Sequence, residues 1–159
     1  MKFNSALKNF VLVLFSTLLI SACSTAKKAS VDTTDDVYTG TDTVEYLANG
    51  VPDRVFFATN KSSLTTRSRD TLRKQATYLR KNNDLTVTIE GHADERGTRE
   101  YNLALGERRA NAAKDYLMTY GVSGKRISVI SYGKEKPVNP ASSPLAWSQN
   151  RRSVTIKAN

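Results

Sequence analysis

The sequence predicts an α/β sandwich in which a mixed four-stranded sheet carries helices on one face, preceded by a disordered tether. Two observations predict it. Short apolar or alternating runs near residues 55, 85, 127 and 152 are separated by segments with helical apolar spacing, so the element order is β-α-β-α-β-(α)-β. Two successive β-α-β units in so short a chain place the helices against a single sheet. These elements occupy residues 54–159, whereas residues 1–22 and 23–53 have different compositions.

The first strand is Val55-Phe56-Phe57-Ala58, a buried apolar run, and Asn60-Lys61-Ser62-Ser63 follows it as a turn. Thr65 or Thr66 caps a helix to about Lys81, whose apolar positions Leu72, Ala76 and Leu79 share one face. Asn82-Asn83-Asp84 ends it, and Leu85–Glu90 alternates as a strand. Gly91–Gly97 is a loop. Thr98 caps the second helix, with Glu100 in the favourable first turn and Gly121 at its stop. Leu105, Ala112, Ala113, Tyr116, Leu117 and Tyr120 are expected to face the core. Ile127–Tyr132 is a strand, Gly133–Pro144 a loop, Leu145–Asn150 a short helix and Arg152–Lys157 the last strand.

The chain has 159 residues, a formal charge of +9, one cysteine and one histidine. A single cysteine excludes an intrachain disulfide, and so few soft ligands argue against a metal site. Residues 54–159 hold 20 Lys/Arg against 9 Asp/Glu, so the domain carries +11 and calls for an anionic partner. Residues 23–53 hold six acids against Lys27 and Lys28 and lack periodicity, so they read as a flexible tether in which Val44–Leu47 is a possible ordered piece. Thirty such residues reach ~100 Å at full stretch and roughly 30 Å as a coil.

At the N-terminus, Lys2 and Lys8 precede Phe10–Ile20, an eleven-residue apolar run too short for a spanning helix, which needs about 20 residues. It ends at Ile20-Ser21-Ala22-Cys23, which resembles the bacterial lipoprotein signal. The resemblance implies a signal peptide over 1–22 and N-acyl and S-diacylglycerol chains on Cys23, with no other cofactor. Ser24 in place of aspartate favours the outer membrane, with the domain facing the periplasm.

The most informative stretch is Ile89–Ala113, IEGHADERGTREYNLALGERRANAA, extended by Ser131–Pro137 (SYGKEKP) and Asn150-Arg151-Arg152. It resembles the OmpA-like peptidoglycan-binding domain family, and within it the peptidoglycan-associated lipoproteins, over residues 54–157. The resemblance implies non-covalent binding of diaminopimelate stem peptides. The free end of diaminopimelate sets an ammonium and a carboxylate on one carbon, so a receptor needs an anion and a cation close together. Asp94 would pair with the ammonium and Arg109 would fork onto the carboxylate. Asn102 and Leu105 would line the cleft, Thr98 would cap the helix or offer its N–H, and Phe57 and Ala58 would close the first-strand side. Ala58 and Asn60 stand where acids are common in the family. The resemblance further implies the Tol-Pal system, with TolB as a partner. The alternative is a periplasmic scaffold acting mainly through protein partners such as TolB.

Other residues read more plainly. Arg108 lies on a solvated face, and His92 is structural. Apart from the motif, Asp94 reads as pairing with Arg96 or Arg99 at the surface, and Glu95 with Arg96 as a loop salt bridge. Tyr101 is core, Trp147 packs the short helix, and Arg151 and Arg152 solubilise the last strand rather than closing the pocket. Catalysis is not expected. Asp94 is too near His92 in sequence to orient it as in a triad, and no serine sits in a nucleophile elbow. Nucleic acid is disfavoured by the export signal and the scarcity of aromatics among the basic residues.

Overall fold

The computed structural model describes residues 31–32 and 36–158. The expected signal peptide, Cys23 and most of the expected tether lie outside the described residues. The predicted architecture is present. Strands β1 (Val31–Asp32), β2 (Val37–Tyr38), β3 (Tyr46–Ala48), β4 (Val51–Pro52) and β5 (Arg54–Phe56) lead into helix α1 (Thr66–Lys81). Then come β6 (Val87–His92), α2 (Arg99–Thr119), a 3₁₀ turn (Gly124–Arg126), β7 (Ile127–Gly133), α3 (Pro144–Asn150) and β8 (Arg152–Lys157). The main sheet has the order β5-β8-β6-β7. β8 runs antiparallel to β5 and β6, and β6 runs parallel to β7, so the sheet is mixed.

Each helix begins as its sequence dictates. Thr65 accepts from the N–H of Ser68, Thr98 from that of Tyr101 and Ser143 from that of Ala146. Such caps satisfy donors that the first turn leaves open. At the other end of α1, Arg126 donates to the carbonyls of Leu79, Asn82 and Leu85 at 3.0, 2.7 and 2.8 Å. A cation there meets the negative end of the helix dipole. Leu72, Ala76 and Leu79 of α1 and Ala110, Ala113 and Leu117 of α2 bury against Val55, Phe57, Val87, Ile89 and Ile127 of the sheet side. Gln75, buried among them, donates to the Pro52 carbonyl and accepts from Thr155.

Two expectations fail. The domain does not begin at Arg54. Val37, Tyr38 and Leu47 are buried, and Tyr38 stacks edge-on to Phe56 at 4.8 Å. The tether reading therefore fails from Asp36 onward. Val37 and Tyr38 join Phe56 in a small second cluster, with Val44 packed against it. The second failure is the α2 face. Tyr120 is exposed and Ala112 half buried, and Tyr116 packs against the core only in part, while Gly106, Arg109 and Ala110 are buried with Leu105, Ala113 and Leu117.

Glycine explains that rotation. A Cβ added to Gly91 would lie 1.8 Å from the Gly106 carbonyl oxygen, and one added to Gly106 would lie 2.4 Å from Ser131 Oγ. The α2 backbone thus sits directly on β6 and β7, and only small residues fit between. Gly91→Ala is expected to lower stability by more than about 3 kcal/mol, since the clash is backbone on backbone and no side chain can yield. Urea denaturation checks this; a loss below about 1 kcal/mol would show that the contact is slack.

Candidate functional site

The carboxyl ends of β5, β6 and β7 and the start of β8 meet at one end of the sheet, the usual place for a ligand cleft in sheets of this kind. Asp94 stands there in the loop after β6. The loop is pinned from both sides. The Ala93 N–H donates to the Gly133 carbonyl at 2.8 Å, and Asn102 Nδ2 donates to the Arg96 carbonyl at 2.8 Å. Lys134 Nζ donates to the Glu95 and Gly97 carbonyls.

Asp94 is 7% exposed. Its Oδ1 accepts from the Arg96 N–H and Nε, and its Oδ2 from Arg96 Nη2 at 2.6 Å and Arg151 Nη1 at 3.2 Å. Burial alone would raise its pKa, but the bonds from Arg96 and then Arg151 overcome that and hold the carboxyl below its usual range. Arg96 also reaches Thr59 Oγ1 at 3.2 Å and lies over the Trp147 ring at 4.3 Å. Trp147 Nε1 in turn donates to Glu95 Oε1 at 2.8 Å.

Arg109 is fully buried, at 0%. It donates to the carbonyls of Lys61, His92 and Ala58 at 2.9, 2.8 and 3.1 Å and lies 5.3 Å from the Phe57 ring centroid. Burial, and next the nearby charge of Arg151, push its pKa down to about 10, with Asp94 acting in the opposite sense. It therefore stays charged at neutral pH. Arg109 ties the β5 loop to the end of β6, and a 400 Å³ cavity bordered by Ala58, Lys61 and Arg69 opens beside the same loop.

The structure thus gathers Asp94, Arg109, Phe57, Ala58 and Asn102 at one place. Leu105 is buried on α2, and Thr98 is an exposed cap. Several plain readings are corrected. Arg151 and Arg152 are not solubilising. Arg151 is 1% exposed and forks between Asp94 and Asp36, also donating to the Phe57 carbonyl at 3.1 Å. Arg152 is buried and donates to the Asn150 and Lys136 carbonyls. Arg96 pairs with Asp94 and not with Glu95. Tyr101 is exposed, not core, because it lies one position off the buried α2 stripe that runs through Asn102. Thr59 and Asp36 carry no motif signal; only the N-R-R of Asn150–Arg152 hinted at Arg151. Among the described residues no group of three or more acids, histidines or cysteines could hold a metal. Among them, too, no helix is long and apolar enough to cross a membrane.

Two groups make the fold acid-sensitive. Burial, then the charges of Arg152, Lys136 and Arg54, lower the His92 pKa to about 3. The unfolded chain protonates this imidazole near pH 6.5, so it binds the extra proton first as pH falls. Stability should therefore drop between about pH 6.5 and 3, by at most roughly 1.4 kcal/mol per pH unit. The lowered Asp94 pKa acts in the same direction at the acid end. His92→Asn should flatten the upper part of this slope in urea titrations at pH 7, 5.5 and 4.5. A variant with an unchanged slope would show that His92 is not its source.

The fold and site together define a small α/β domain with a mixed sheet that presents, at one end, a nearly buried carboxylate bonded by two guanidiniums. The OmpA family model matches residues 56–151, and this chain belongs to that family. It is 57% identical over 106 residues to the peptidoglycan-associated lipoprotein of Rhizobium meliloti (strain 1021); the match covers 67% of this chain and 60% of that relative's length. It is 42% identical over 150 residues to the peptidoglycan-associated lipoprotein of Brucella melitensis biotype 1, covering 91% of this chain and 89% of that one. The crystal structure of the peptidoglycan-associated lipoprotein from Burkholderia pseudomallei superimposes with a TM-score of 0.65 at 37% identity, over 67% of this chain and 90% of that chain.

Proposed function

We propose that this chain is an outer-membrane lipoprotein that anchors the membrane to peptidoglycan by non-covalent binding of diaminopimelate stem peptides. The observation that carries the reading is the juxtaposition of an ionised, nearly buried Asp94 with the buried guanidiniums of Arg109 and Arg151. An ammonium and a carboxylate on one carbon need such a pair. The names of the relatives, peptidoglycan-associated lipoprotein, support peptidoglycan as the polymer. Asp94 takes the ammonium, displacing Arg96, whose side chain is 42% exposed. Arg109 supplies positive potential from beneath and fixes the Phe57–Ala58 wall. Asn102 and Thr98 hold the loop and helix start in register, and Leu105 packs behind them.

Lipid on Cys23 fixes the chain to the outer membrane, with the domain in the periplasm. The protein works without catalysis, within the Tol-Pal system of envelope integrity and cell division, with TolB as partner. Membrane attachment and a polymeric ligand raise effective concentration, so a modest single-site affinity suffices. A second reading, a scaffold acting mainly through protein partners such as TolB, is favoured by the exposed Ile130 and Ile156 on the open side of the sheet.

Competition tests the first reading. Free meso-diaminopimelate should release the full chain from diaminopimelate-type sacculi, and Nα-acetyl-lysine amide, whose free end is an ammonium without a carboxylate, should not. Equal release by both, or by neither, would sink the diaminopimelate assignment.

A further inference from the structure

We infer that Thr59 and Arg151 form a carboxylate-binding subsite beside Asp94, and that the chain's own Asp36 fills it when no ligand is bound. The inference deepens the proposed diaminopimelate reading and rests on it. The Asp36 carboxylate is held as a ligand's would be. Its Oδ2 accepts from the Thr59 N–H at 3.2 Å and from the Thr59 hydroxyl, and its Oδ1 accepts from Arg151 Nη2. The same Nη2 donates to the Asp36 carbonyl. Arg151 Nη1, on the other prong, donates to Asp94. One buried guanidinium therefore separates the carboxylate that would draw an ammonium from a position already occupied by a carboxylate.

Arg109 is a poorer first contact. Each of its three nitrogens already donates to a main-chain carbonyl, and it has no exposed surface. Arg151 becomes available simply by loss of Asp36. That residue is held loosely enough to leave. Its side chain is 45% exposed, whereas that of Arg151 is 1% exposed. Asp36 supplies a carboxylate but no ammonium. A ligand carrying both gains Asp94 as well and can displace it. The segment that follows, Val37 and Tyr38, packs beside Phe56 and Ala58, so departure of Asp36 loosens one wall of the cleft.

An occupied subsite weakens apparent affinity in proportion to the time it is filled; nine-tenths occupancy costs about tenfold. The test measures affinity of the full chain in detergent for a muropeptide with a free diaminopimelate α-carboxylate, and for the same muropeptide amidated there. Asp36→Asn should bind the free acid about tenfold more tightly than the original chain. Thr59→Val, which keeps the N–H, should weaken binding several-fold. The amidated form should bind poorly to all three. In the original chain, the amide resonances of Thr59, Val37 and Tyr38 should shift together on binding. Suppose the original chain binds, but Asp36→Asn binds equally or less tightly while those resonances stay put. The subsite is then wrong, and the diaminopimelate reading survives. If no variant binds either muropeptide, that reading fails and takes the subsite with it.

Discussion

Arg109→Ala is expected to destabilise the domain by roughly 3–4 kcal/mol, enough to leave a marginal fold mostly unfolded at elevated temperature. The substitution strips the guanidinium from the carbonyls of Lys61 and His92, and takes one of two donors from that of Ala58, which also accepts from the Lys61 N–H. A buried acceptor without a donor costs about 1–3 kcal/mol, and the vacated volume adds a cavity term. Part of the loss is offset, since burial and the Arg151 charge already push the Arg109 pKa down to about 10 and so disfavour its charged form. Arg109→Met loses the same hydrogen bonds but fills the space, so it should lose less than alanine by the cavity term, about 1 kcal/mol or more. Urea denaturation of the three chains at pH 7 decides it. If alanine and methionine are equally tolerated with losses below about 1 kcal/mol, Arg109 is not the tie between the β5 loop and β6. Loss of binding in Arg109→Ala alone therefore says little about ligand contact.

Asp94→Asn is the cleaner probe of binding and carries the largest functional effect. Asparagine keeps the size and can still accept from the Arg96 N–H, so the loop should hold its shape. It lacks the charge. A charge-assisted bond to an ammonium is worth about twice a neutral one, and the loss here should reach about 3 kcal/mol, or ~100-fold in affinity. Stability should fall by less than about 2 kcal/mol, because Arg151 keeps Asp36 and the Phe57 carbonyl. A folded Asp94→Asn that binds as before would remove Asp94 from the site.

Most of the fold was legible because it repeats. The short run Arg152–Lys157 and the one-faced spacing of Leu72, Ala76 and Leu79 match β8 and α1 in their limits. The caps at Thr65 and Thr98 were equally local signals. What was not legible depends on single long-range contacts. Asp36 meets Arg151 across 115 positions and Asp94 meets it across 57, and no period encodes either. The wrong α2 face has another cause. Leu105, Ala113 and Leu117 are buried as expected, but the expected face ran on to Tyr120 and left out Gly106 and Ala110, which the Gly91–Gly106 approach sets on the sheet side. The site's heart, Asp94 with Arg109, came from the length and rigid spacing of one motif, not from composition. That resemblance did not show that Arg109 lies beneath the surface or that Arg96 covers Asp94.

The most direct measurement of the central claim is binding of the full chain, side by side with Asp94→Asn, to purified diaminopimelate-type and lysine-type sacculi. The original chain should sediment with the diaminopimelate wall and not with the lysine wall, and the folded variant should sediment with neither. Equal sedimentation of both chains with both walls would contradict the claim and assign the binding to the basic surface of the domain instead.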